Sequence, residues 1–183
     1  MLTPLINGSV FLFLFILFGP GIFALGYWSL RSRDKDDKRL GAKALLAYLE
    51  ALTLQAALAS AAFLLWVVFE YWAGRFDTPP EGKAPSGGWK GAFGTLLLHS
   101  LLTFAFARLM RRIETNPHPT PQRFFRGFGA YLCALLGLLS LSLLSWNLFA
   151  EIDGPTRSLA YAVSLCYIPA GVLLSLSLAR PKP

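Results

Sequence analysis

The chain has 183 residues, 55% of them apolar and 15% charged, with 17 Lys and Arg against 10 Asp and Glu for a formal charge of +7. A soluble domain runs at about 45–50% apolar and about 25% charged residues, and here the charges are gathered into short clusters separated by long apolar runs. That pattern excludes a soluble enzyme and a disordered tail, and it leaves no stretch large enough for a separate aqueous domain.

Five runs follow in chain order, over about 5–30, 44–73, 91–111, 127–150 and 158–179. A helix crossing a hydrocarbon layer of roughly 30 Å needs about 20 apolar residues, and four of the runs reach that length outright. The third is uncharged only from 91 to 107 and gains its last turn if Arg108 snorkels along its own methylenes to the interface. The expectation is an all-α, polytopic integral membrane protein, a single domain over 1–183 with five transmembrane helices.

The first run reads as a retained helix, because no cation precedes it, it is too long for a signal-peptide core, and no A-x-A-like cleavage site follows. Gly19, Pro20 and Gly21 form a predicted hinge within it, since Pro20 withholds the N–H that the carbonyl of Ile16 would accept. The connection from Arg31 to Lys43 carries six cations and three carboxylates and is expected to touch anionic lipid headgroups.

In the second run, Glu50 stands six residues from the start, about 9 Å into the apolar layer. Ala57 and Ala61 share its helical face, and small residues let a neighbouring backbone approach, so Glu50 is expected to point into packed protein. Gln55 is a further buried polar candidate on this run. A Gly- and Pro-rich connection over 73–90 leads to the third run, where Thr95, His99 and Thr103 recur at intervals of four and form a polar stripe.

Pro117, Pro119 and Pro121 alternate with other residues before the fourth run and favour extended polyproline geometry. This stretch is either a stiff linker or a docking segment for a partner's aromatic groove. On the fourth run Gly129, Cys133, Gly137, Ser140, Leu144 and Asn147 follow three-and-four spacing and make one small, weakly polar face. The connection over 151–157 is short enough for an antiparallel hairpin, and the fifth run repeats the hinge device with Pro169.

Cytoplasmic flanks of membrane spans carry an excess of Lys and Arg. Arg31, Arg33, Lys35, Lys38, Arg39, Lys43, Arg108, Arg111, Arg112, Arg123, Arg126, Arg180 and Lys182 fall on one side of an alternating five-span path. Only Arg75, Lys83, Lys90 and Arg157 fall on the other. Thirteen against four predicts an outside N-terminus and a cytoplasmic C-terminus. The same asymmetry, with no organelle signal, points to a bacterial inner membrane. Trp66, Trp72, Trp89 and Trp146 near the outer ends and Trp28 at an inner end fit interfacial belts.

Two functional readings follow. Small-residue faces, interhelical Ser, Thr, Asn and His hydrogen bonds and Pro kinks are how helices associate in lipid. They describe a non-catalytic subunit or scaffold, a homo-oligomer or a member of a complex with other membrane chains. The alternative is an ion or proton channel or transporter with Glu50 in the pathway, built on the same broken helices and polar stripes. An intramembrane enzyme is a remote third reading with Glu50 and His99 as its only acid/base residues, because His99 and Ser100, adjacent on a helix, point about 100 degrees apart. Cys133 and Cys166 are expected to be reduced packing residues at different depths. A lone intramembrane His argues against haem, and no cofactor, metal or nucleic-acid partner is expected.

Overall fold

The computed structural model describes residues 19, 21–32, 37–73, 86–113, 120–146 and 154–179. Its elements are a helical segment over 21–32 (α1), then α2 (Leu40–Trp72), α3 (Ser86–Ile113), α4 (Thr120–Trp146) and α5 (Gly154–Ala179). Helices α2 to α5 are long and apolar enough to cross a membrane, which marks the chain as a helical membrane protein. Most of the first expected span, including Pro20, lies outside the described residues. Of its hinge, Gly19 is buried and Gly21 exposed.

The helices run past the apolar limits read from the sequence. α2 begins at Leu40 instead of 44, and α4 begins at Thr120 instead of 127. A helix does not stop where hydrocarbon stops, because its hydrogen bonds are internal and interfacial water accepts its charged side chains. The shift matters most in α4, where it places Gln122, Arg123 and Arg126 on the helix. It also corrects the reading of the proline stretch. Pro121 is buried in the first turn of α4, where a missing N–H costs nothing, so it does not continue an extended docking segment. Pro117 and Pro119 lie outside the described residues. Pro169 sits inside α5, which continues through it as one helix to Ala179.

Side-chain contacts set the helix directions. Thr53, 19 residues before the end of α2, meets Thr103, 17 residues after the start of α3, the match expected of antiparallel neighbours in sequence; Glu50 meets Arg126 and Gln55 meets Gly129, so α2 and α4 are parallel. Gly137 packs on Ile168 and Gly171 on Cys133, and the Trp66 indole N–H donates to the Pro155 carbonyl at 3.2 Å, so α5 opposes both α2 and α4. α2 is the hub that touches α3, α4 and α5, α4 and α5 form a second tight pair, and α3 leans on α2 alone among these four. One end of the bundle therefore gathers Arg31, Lys38, Arg39, Lys43, Arg108, Arg111, Arg112, Arg123 and Arg126, while only Lys90 and Arg157 of the described cations stand toward the other.

The packing is inverted relative to a soluble bundle. Buried positions include Ala44, Ala47, Glu50, Thr53, Cys133, Ser140 and Ser164, whereas Leu97, Leu101, Phe104, Leu138, Leu165 and Leu173 are each at least half exposed. A continuous apolar exterior of this kind is unfavourable in water and is the surface a bilayer covers. At the basic end α1 lies against α2 and α4: Phe23 stacks near Phe125, with centroids 6.5 Å apart, and meets Tyr48 at 5.3 Å. A Cβ added to Gly26 would stand 2.9 Å from both Phe124 and Phe125, so only Gly lets α1 approach so closely.

Asp37 organises the start of α2. Its Oδ1 accepts from the Arg39 backbone N–H at 2.8 Å and its Oδ2 from the Lys43 ammonium at 2.6 Å. The Lys43 hydrogen bond, followed by the Arg39 amide, holds the carboxyl below the usual carboxylate range. A lowered carboxylate pKa stabilises the fold above the ordinary value of about 4, and that contribution is lost as pH falls through the lowered one. Amides over 39–43 should accordingly lose hydrogen-exchange protection, relative to intrinsic rates, between about pH 6 and about pH 3, and Asp37→Asn should abolish that difference. A loss of equal size in Asp37→Asn would show that another group controls this turn.

Candidate functional site

Glu50 lies on the face of α2 turned toward α4, and its carboxylate is fully engaged. Oε1 accepts from Arg126 Nε at 3.2 Å and Nη2 at 2.8 Å, and Oε2 accepts from Gln122 Nε2 at 2.8 Å. Gln122 and Arg126 are one helical turn apart, which aims both side chains at one point. The Glu50 side chain is 8% exposed and that of Arg126 33%, so the carboxylate is enclosed while the guanidinium reaches the rim of the bundle. Burying an ion is costly unless it is paired and its remaining lone pairs are bonded, and here both conditions are met.

The other polar residues form separate contacts along the bundle. Gln55 donates from Nε2 to the Gly129 carbonyl at 3.3 Å and lies 3.5 Å from Cys133 Sγ. Thr103 Oγ1 is 2.8 Å from Thr53 Oγ1 and 2.7 Å from the His99 carbonyl, so it joins α3 to α2. His99 Nδ1 donates to the Thr95 carbonyl at 2.8 Å, and Thr95 Oγ1 donates to the Gly91 carbonyl at 2.7 Å. Farther along, Ser140 and Ser164 share a buried hydrogen bond of 2.8 Å between α4 and α5. Asn147 lies outside the described residues.

The small residues work inside the bundle. Ala57 is buried and Ala61 half-buried. Gly129 faces Gln55, Gly137 faces Ile168, and Cys133 faces Gly171. Cys133 and Cys166 are both free thiols, and Cys166 packs beside Cys133, Ala62 and Tyr167. Among the described residues no cluster of three His, Cys, Asp or Glu side chains is placed to hold a metal ion. No family model, curated protein or solved structure matches the chain.

The two partners of Glu50, and a second buried carboxylate away from it, are not singled out by the sequence as functional residues. Gln122 and Arg126 read as loop, although their four-residue spacing just before a run that begins on the same side of the membrane as Glu50's run is the available signal. Glu70, twenty residues beyond Glu50 on α2, is 4% exposed and engaged with other groups; a second carboxylate in one apolar run was its signal. Within the site, a carboxylate whose three accepted hydrogen bonds include two from a guanidinium can hold two helices in register. Among the described residues neither His99 nor any Ser is hydrogen-bonded to it.

Proposed function

We propose that the protein is a non-catalytic component of a bacterial inner membrane, with its basic end in the cytoplasm, that assembles laterally with copies of itself or with other membrane chains. The observation carrying this reading is the state of α3. It leans on α2 alone among the four long helices, and on its remaining surface Gly91 and Gly94 are exposed, with nothing among the described residues within 4 Å of an added Cβ at either. Two open glycines three residues apart are poor lipid-facing residues and good sites for close backbone approach by another helix. Half-buried Thr95 and His99 stand beside them and supply hydrogen-bonding groups for such a contact. The internal small faces of α4 and α5 are already occupied, which leaves α3 as the assembling helix.

Native mass spectrometry of the protein gently extracted from its own membrane tests this. A defined oligomer or complex is expected from the unaltered chain, and Gly91→Leu with Gly94→Leu should shift it to monomer without unfolding it. A monomer from the unaltered chain, or assembly untouched by the two substitutions, would refute the reading. The competing reading, conduction through Glu50, supposes that Glu50→Gln changes flux or its pH dependence in reconstituted vesicles. Paired as it is with Arg126, Glu50 is better suited to holding helices than to exchanging protons, and unchanged flux is the expected result.

A further inference from the structure

We propose that the end of α3 carries a site for the phosphate of an anionic phospholipid, formed by Arg108, Arg111 and Arg112. The inference is independent of whether α3 also meets another helix. Residues 108, 111 and 112 stand at i, i+3 and i+4, so Arg111 and Arg112 are the two surface neighbours of Arg108, with Cβ atoms about 5–6 Å away. All three are exposed, and no carboxylate among the described residues engages any of them. The two described carboxylates at this end are already committed, Asp37 to Lys43 and Glu50 to Arg126. Three like charges held together by one helix repel one another unless an anion lies between them.

The position selects a lipid. Arg108 continues the exposed stripe Leu97, Leu101 and Phe104, the surface hydrocarbon covers. The Thr53–Thr103 hydrogen bond sets the register between α2 and α3 and puts Arg108 level with Tyr48, five residues and about 8 Å inside the end of α3. Its methylenes can lie along acyl chain while the guanidinium turns outward to the headgroup layer. A guanidinium matches two phosphate oxygens with a pair of parallel hydrogen bonds. Arg111 and Arg112, in the last turn of α3, also offset the negative end of the helix dipole. That effect fades within one turn and does not account for a third arginine deeper on the lipid side.

The test uses the full chain in a neutral detergent, titrated with short-chain phosphatidylglycerol, short-chain phosphatidylcholine or inorganic phosphate, while unfolding is followed by tryptophan fluorescence. Phosphatidylglycerol should raise the unfolding midpoint saturably, by about 4 °C at ten times its half-saturating concentration, and native mass spectra should show a retained lipid. Phosphatidylcholine and inorganic phosphate should do neither. Arg108→Gln with Arg112→Gln should abolish the shift, whereas Arg123→Gln, on α4, should leave it intact. Should the double glutamine variant not fold, Arg108→Lys with Arg112→Lys keeps the charge and loses the paired geometry, and should weaken binding several-fold. An equal response to both lipids, a shift unchanged in either double variant, or loss of the shift in Arg123→Gln as well would overturn the site.

Discussion

Arg126→Ala is expected to destabilise the bundle by about 3 kcal/mol, and Glu50→Gln by only about 1 kcal/mol. The asymmetry comes from which charge is left behind. Without Arg126 the Glu50 carboxylate, with a side chain 8% exposed, loses its cation and is left with only Gln122 to bond it. Without Glu50 the guanidinium, already 33% exposed, can turn to the headgroup layer along its own stem. The figure for Arg126 is set at the low end of the range for a broken buried pair because that partial exposure screens it. Combining Arg126→Ala with Glu50→Gln should cost less than the sum of the single changes, the sign of a coupled pair. Reversible unfolding in mixed micelles measures all four states. Equal costs for Arg126→Ala and Glu50→Gln would mean that the contact is worth no more than an ordinary hydrogen bond.

Gly137→Ala should be nearly as damaging, costing about 2 kcal/mol by overpacking, while the same substitution at Gly127 should be neutral or slightly stabilising. A Cβ at 137 would lie 2.8 Å from Ile168 Cγ1 and 3.7 Å from the Ile168 backbone N. Ile168 is β-branched with few rotamers, so relief requires α4 and α5 to separate. At 127 the nearest atom is the tip of Leu178 at 3.8 Å, an ordinary contact. Gly171 lies on the same seam, with its added Cβ 3.2 Å from Cys133 Cβ, and should behave like Gly137. Comparing Gly127→Ala with Gly137→Ala in one unfolding series removes the contribution of helix propensity, which both share. Similar destabilisation at both positions would mean that the α4–α5 distance is not set by these glycines.

The features legible in the sequence were those that depend on one residue and its near neighbours along a helix. Four long apolar helices followed from run length against bilayer thickness. The enclosure of Glu50 followed from its shared face with Ala57, and the inward position of Gly129, Cys133 and Gly137 from their three-and-four spacing. Hydropathy places the helix starts too late in the chain. The limit of hydrocarbon is not the limit of hydrogen bonding, so α4 extends back to Thr120 and carries Gln122 and Arg126 with it. The burial of Glu70 is illegible in the sequence for a related reason. Near the end of a run a carboxylate reads as interfacial, and only the surrounding helices bury it.

Composition and spacing by themselves thus determined the class of molecule, the four long helices and the concentration of cations that collects at one end. These are consequences of solvent and of helical periodicity, which act locally along the chain. Which polar groups meet depended on the crossing of helices whose partners are 72 to 78 residues apart in sequence, as in Gln122 with Glu50 and Gln55 with Cys133. Tertiary packing decided that Glu50 is paired with Arg126, that the small faces of α4 and α5 are consumed internally, and that α3 keeps its open glycines and its arginine triangle toward the membrane. Each of those outcomes turns on a distance between helices and on the parallel or antiparallel sense of a pair, and no periodicity within a single helix encodes either.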